Sequence, residues 1–229
     1  MRPTPGAAQS IVGNLAQGQA IYEAARGMHA LIHLAATPDD TNCPRQPPPH
    51  DGDNFLTELL PNNITASYHV LEAARQAKVP RLILASTGQV IHANFMAGDW
   101  PVNATTPVTP RYWYACTKVF LEAAGSAYAR AHGLTVLAVR LGWCPRDPLQ
   151  IADLARFDWA QDVYLSPGDA GRFFVAAVET PELPAYSVVY ATSRPVAHVR
   201  FDLTDARRWC GFEPVDVWPT GAPPTSPGT

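Results

Sequence analysis

Four stretches of the chain are apolar at nearly every position and are bounded by turn residues. They are "HALIHLAA" (His29–Ala36), "VPRLILAS" (Val79–Ser86), "GLTVLAVRLG" (Gly133–Gly142) and "YSVVYAT" (Tyr186–Thr192). Runs this short and continuous read as strands covered on both faces. Helical periodicity fills the gaps between them. "QGQAIYEAARG" (Gln17–Gly27) ends on a glycine suited to a helix C-terminus. The pattern from Asn54 to Lys78 predicts a long helix kinked at Pro61. Tyr112–His132 and Pro167–Thr180 predict two more helices, and Asp205–Gly211 a short closing one. Strands alternating with helices in this way predict a parallel, doubly wound α/β sheet.

In such sheets ligands collect beyond the carboxyl ends of the strands. Ala35–Ala36, Ser86–Thr87 and Gly142–Trp143 each follow a strand end, so their loops are expected to border one crevice. The segment Pro38–Asp53 is too rich in proline to be a regular element and reads as a lid on that crevice or as a passive insertion. The final "PTGAPPTSPGT" (219–229) is of low complexity and expected to be disordered.

Composition narrows the possible functions. A net charge of −3 with no basic block gives no footprint for nucleic acid or an anionic membrane. Cys43, Cys116, Cys144 and Cys210 are far apart, which argues against a zinc site and a disulfide framework. No run approaches transmembrane length, and the first residues lack a signal peptide's apolar centre. The expected setting is a reducing cytoplasm, and the expected partner a small molecule.

Candidate chemistry sits in "RYWYACTK" (Arg111–Lys118). The chain has only two lysines, Lys78 and Lys118, and Tyr114 stands four residues ahead of the second. Eight tyrosines and two lysines give roughly 0.07 such matches by chance. Residues four apart share one helix face. A phenol of ordinary pKa near 10 is a poor base, and a nearby ammonium favours its phenolate, so the pair suits general acid/base work. A hydroxyl from a neighbouring loop could hold the substrate oxygen, with Thr87 the first candidate and Ser86 the second. The plain alternatives are a solvated helix face for the pair and simple strand capping for the hydroxyls.

Four segments together give the chain a family resemblance: "ALIHLAA", "NNITASYHVLEAAR", "RLILASTGQVIH" and "YACTK". They resemble the fourth strand, the helix after it, the fifth strand and the Tyr-x-x-x-Lys motif of the extended short-chain dehydrogenase/reductase family, also called the NAD-dependent epimerase/dehydratase family. "AVRLGWCPRDP", "YLSPGDAGRFF" and "WCGFEPVD" resemble the uronate dehydrogenase-like members. The resemblance implies a Rossmann-like fold and NAD(P)-dependent oxidation of a sugar or sugar acid, with nucleotide-sugar epimerisation or dehydration as the alternative within the same chemistry. It divides the chain into a partial cofactor-binding domain (1–142), a substrate-side region (143–218) and the tail.

The resemblance also assigns roles. Tyr114 would be the general base, Lys118 would lower its pKa and bind the nicotinamide ribose, and Thr87 would bind the substrate hydroxyl. The cofactor, NAD or NADP, would run past Asn14, Leu34, Ala35, Ala36, Asn63, Ala85 and Ser86, with Asn63 matching the family's structural asparagine, whose role is mostly structural. It would then reach Tyr114, Lys118, Leu141, Trp143 and Cys144. The substrate would meet Thr37, Thr87, Gly88, Gln89, Tyr114 and Arg156, with Arg146 a second candidate for its arginine. No metal is implied. Packing is an equal reading for Trp143 and Cys144, and His33 reads as a core histidine. Asp169 and Arg172 read as a helix-start carboxylate and a surface cation.

The sequence departs from the family in four ways. Thr87 stands where serine is usual, "TGQ" (87–89) replaces Ser-Asn-His, and the substrate arginine has no secure counterpart. The glycine-rich phosphate-binding turn is not found, and Ser10–Gln17 resembles the end of the third strand, so about 50 residues are expected to be missing at typical element lengths. "ALIHLAA" would then be an apolar edge strand, open to association between copies. A third reading follows from that gap: a non-catalytic binding or assembly protein.

Overall fold

The computed structural model describes residues 7–38 and 54–222. The four apolar runs form one parallel sheet in chain order: β1 (Ala30–His33), β2 (Arg81–Thr87), β3 (Thr135–Leu141) and β4 (Tyr186–Ala191). Register aligns the strand ends, with His33 opposite Leu84, Thr87 opposite Leu141, and Leu141 opposite Ala191. Leu82, Ile83 and Leu84 are wholly buried, as expected of a strand covered on both sides.

Alternation along each strand divides the core. Leu82, Leu84 and Val136 face one layer, with α1 (Gln19–Ala24), α2 (Ala66–Gln76) and α4 (Trp113–His132). Ile83, Leu137, Val139 and Val189 face the other, with α7 (Pro167–Glu179) and α8 (Thr204–Cys210). The sheet is thus doubly wound, a Rossmann-like fold. On α4, Gly125 lets the helix lie close to β2; a Cβ there would stand 2.7 Å from Leu84 Cδ1.

Three elements differ from the sequence expectation. The winding around Pro61 is not α-helical: Phe55–Thr65 forms a π-helix and runs directly into α2. A wider turn accommodates a ring that has no N–H and would otherwise crowd the carbonyl four residues back. Ser10–Asn14 is not paired into the sheet; Asn14 instead caps a 3-10 turn at Leu15–Gln17. Three short helices were not expected from the sequence: α3 (His92–Ala97), α5 (Pro148–Arg156) and α6 (Asp158–Asp162). Of these, α3 and α6 are too short to display a full apolar face. The body of the proline-rich segment, 39–53, and the last residues, 223–229, lie outside the described residues.

Buried charge ties the C-terminal part together. Asp169 is inaccessible and accepts hydrogen bonds from the Ser193 hydroxyl, the Val215 and Asp216 amides and the Arg172 guanidinium. It is therefore a buried clamp on the C-terminal segment, more than a helix-start carboxylate. Asp162 accepts from the amides of Ala197 (2.8 Å) and His198 (3.1 Å) and from Arg200 Nε (2.9 Å). The Arg200 guanidinium lies 3.6 Å from the centre of the Trp100 ring.

Candidate active site

The site is built where β1, β2 and β3 end and the first turns of α4 pass over them. Tyr114 and Lys118 lie one turn apart on α4. The buried Lys118 ammonium stands 5.6 Å from the centre of the Tyr114 ring and donates to the Ala85 carbonyl of β2 at 2.8 Å. Ala85 is two residues before Thr87, so Lys118 links the tyrosine to the strand end that carries the candidate hydroxyl. Thr87 Oγ1 accepts from the Gln89 amide at 3.3 Å and caps the turn Gly88–Ile91. As an acceptor there, the hydroxyl keeps its hydrogen for donation.

The electrostatics correct one expectation. Burial pushes the Tyr114 phenol above its ordinary value, and the charge of Arg146 opposes that shift. Burial also lowers Lys118 to about 8, so it remains a cation at neutral pH. His33, at the end of β1, is pushed down to about 4 by burial and then by the charge of Lys118. It is a neutral core histidine.

Asn63 makes structural contacts, as expected of the residue that matches the family's structural asparagine. Its Oδ1 accepts from the Thr37 amide (2.8 Å), and its Nδ2 donates to the Thr37 carbonyl (2.9 Å) and to Thr117 Oγ1 (3.1 Å). The amide is taken up by the protein and fastens the loop after β1 to α4. Thr37 is held further by Asn62. The π-helical winding places Asn63 in this buried position. Leu34 and Ala35 are exposed beyond β1, with Ala36 partly so. Asn14 is exposed and its Oδ1 accepts from the Ala16 amide.

Ser86, the second candidate hydroxyl, is buried and donates to Glu122 Oε1 at 2.6 Å. Glu122 in turn receives Arg140 Nε (3.0 Å) and Nη2 (2.9 Å), while Arg140 Nη1 donates to Tyr190 Oη (3.0 Å). Sequence reading missed this network. Its signals were Glu122 four residues after Lys118 and a lone arginine inside an apolar strand.

Gly88 serves packing: a Cβ there would come 2.5 Å from Phe201 Cζ. Trp143 and Cys144 are half-buried past β3, where Trp143 exchanges backbone hydrogen bonds with Val163 and Leu165. Arg156 is exposed at the end of α5 and stacks over Phe157 at 5.5 Å. No cluster of metal-ligating side chains occurs among the described residues. No described helix is long and apolar enough to cross a membrane.

These residues fit the nicotinamide end of a dinucleotide: a buried cation beside a tyrosine, and an accessible loop past β1. The described residues offer no glycine-rich turn for a pyrophosphate. Parallel topology and a Tyr-Lys pair over the strand ends define the class, and residues 5–143 match the NAD dependent epimerase/dehydratase family. The chain belongs to that family.

Particular relatives narrow the comparison. The L-arabinose 1-dehydrogenase (NAD(P)(+)) of Haloferax volcanii is 30% identical, over 90% of this chain and 82% of the relative. A uronate dehydrogenase of Pseudomonas syringae pv. tomato is 26% identical over 84% of this chain, and only 62% of its own length is covered. The solved uronate dehydrogenase of Agrobacterium tumefaciens superimposes with a TM-score of 0.70 at 21% identity, over 94% of this chain and 73% of that one. At that identity the likeness speaks to the fold.

Proposed function

We propose that the chain carries the catalytic centre of an NAD(P)-dependent dehydrogenase of a sugar or sugar acid. The observation that supports this most is Lys118, which joins the Tyr114 ring to the Ala85 carbonyl two residues from Thr87. Thr87 holds the sugar hydroxyl that is to be oxidised. Tyr114, as its phenolate, takes the proton and becomes the neutral phenol, and the charges of Lys118 and Arg146 favour that phenolate beforehand. Lys118 fixes the approach of α4 and offers its remaining donors to the cofactor ribose. When bound, the nicotinamide accepts the hydride from the same carbon, which becomes a carbonyl. The remaining cofactor contacts we assign to Asn14, Leu34, Ala35, Ala36, Leu141, Trp143 and Cys144. Thr37 and Gln89 border the sugar, and Arg156 is the candidate for a sugar carboxylate.

Dehydrogenation is preferred over epimerisation because the curated relatives above are dehydrogenases. We place the protein in a reducing cytoplasm, consistent with free Cys116, Cys144 and Cys210.

The test is reduction of NAD and NADP with L-arabinose and D-glucuronate. Tyr114→Phe should lower kcat/KM by about 10³-fold, the scale of lost acid–base catalysis, while cofactor affinity changes little. Turnover that survives Tyr114→Phe would exclude this assignment. Absence of turnover in the wild-type chain would favour a binding or assembly role.

A further inference from the structure

A continuous wall of aromatic rings runs from the loop after β2 to the loop after β3. Phe201 lies against the backbone of Gly88, next to Thr87. Phe201 meets Phe95 at 5.8 Å between centroids, and Phe95 meets Trp159 at 5.7 Å. Trp159 lies 6.2 Å from Trp143 with 34° between planes, and 6.1 Å from Phe157 with 29°. The inner rings are core: Phe95 is 8% exposed and Phe201 6%. The outer ones are open, with Phe157 at 38% and Trp159 at 39%.

We propose that Trp159, flanked by Trp143 and Phe157, is a stacking platform for the sugar ring and a determinant of substrate affinity. This rests on the reading of the site as a sugar dehydrogenase and adds where the sugar lies. A sugar ring has a face of C–H groups and a rim of hydroxyls. The face suits an aromatic surface, and the rim needs a few placed polar groups, which is the usual composition of a small-molecule site. Both are present here. The rings of Trp143, Trp159 and Phe157 pack in a row with 29–34° between neighbouring planes; Trp143 stands two residues past Leu141, the strand partner of Thr87, and Arg156 is stacked on Phe157 at the other end. A second copy of the chain is a poorer occupant, because a stable interface buries roughly 800 Å² per partner, well beyond two rings.

Tryptophan emission, titrated with D-glucuronate and separately with L-arabinose, gives a binding readout that needs no turnover. The wild type should show a saturable change with at least one sugar. Trp159→Ala should weaken that binding about 10-fold, and Trp159→Tyr should restore most of it. In turnover, the sugar KM should rise by the same factor, with kcat within about twofold and the KM for NAD unchanged. Unaltered sugar affinity in Trp159→Ala overturns the platform, as does a wild type that binds neither sugar, or a rise in the NAD KM equal to that for sugar. Turnover with an unmoved sugar KM sinks the platform and leaves the dehydrogenase standing. Sugar binding that depends on Trp159, without any NAD(P) reduction, does the reverse. Phe157→Ala truncates the same surface and decides the matter if Trp159→Ala does not fold.

Discussion

Two buried acid–arginine pairs sit on opposite flanks of the crevice and are built differently. In Glu122–Arg140 every arm has a partner: Arg140 reaches Glu122 twice and Tyr190 once, and Glu122 also receives Ser86. In Asp162–Arg200 the carboxylate is fully served, partly by backbone amides, yet Arg200 Nη1 is buried with no hydrogen-bond partner among the described residues. Its guanidinium instead lies flat on Trp100. The first pair joins α4 to β2 and β3 and so fixes the height of Tyr114 and Lys118 over the strand ends. The second fastens the C-terminal segment from one side. Complete pairing is found where the catalytic geometry must be held, and partial pairing where only a segment must be retained.

Removing Glu122 should have the largest effect. Glu122→Ala leaves the Arg140 charge buried and should cost about 3–5 kcal/mol, read by chemical denaturation. The double variant Glu122→Leu/Arg140→Met should recover most of that loss. If the single variant costs less than about 1 kcal/mol, the pair does not carry the weight given to it here.

Acidification should have the next largest effect. The folded state keeps His33 neutral, with its value near 4 against the ordinary 6.5. As pH falls through that window the unfolded chain takes up the proton first, so stability is lost on acidification. The loss at pH 4.5 should be on the order of 2 kcal/mol, and His33→Leu should abolish it. A pH slope that is the same in both proteins would assign it to other groups.

Arg200→Met should cost least, about 1–2 kcal/mol, because Asp162 keeps two amide donors and an unpartnered buried nitrogen disappears. A loss as large as that of Glu122→Ala would erase the contrast between the flanks.

Much of this was legible in the sequence. The strands announced themselves because a parallel strand covered on both sides is apolar throughout. Tyr114, Lys118 and Thr87 were legible because the order of elements brings them to the same strand ends. The partners of Asn63 and Ser86 were not, since each turns inward to residues 54 and 36 positions away. The influence of Arg146 on Tyr114 was not legible either, because Arg146 lies in the loop after β3, which periodicity does not describe. Trp159 was hidden in a helix of only five residues, Asp158–Asp162.

The fit of Phe201 against Gly88 couples two positions 113 apart in the chain. The ring occupies the space that a side chain at 88 would need, so neither site can vary alone. A lineage that acquires asparagine at 88 has first to shrink residue 201, and one that shrinks residue 201 alone opens a void beside Gly88 and Thr87. Divergence of this loop should therefore proceed by paired replacement, with position 201 leading.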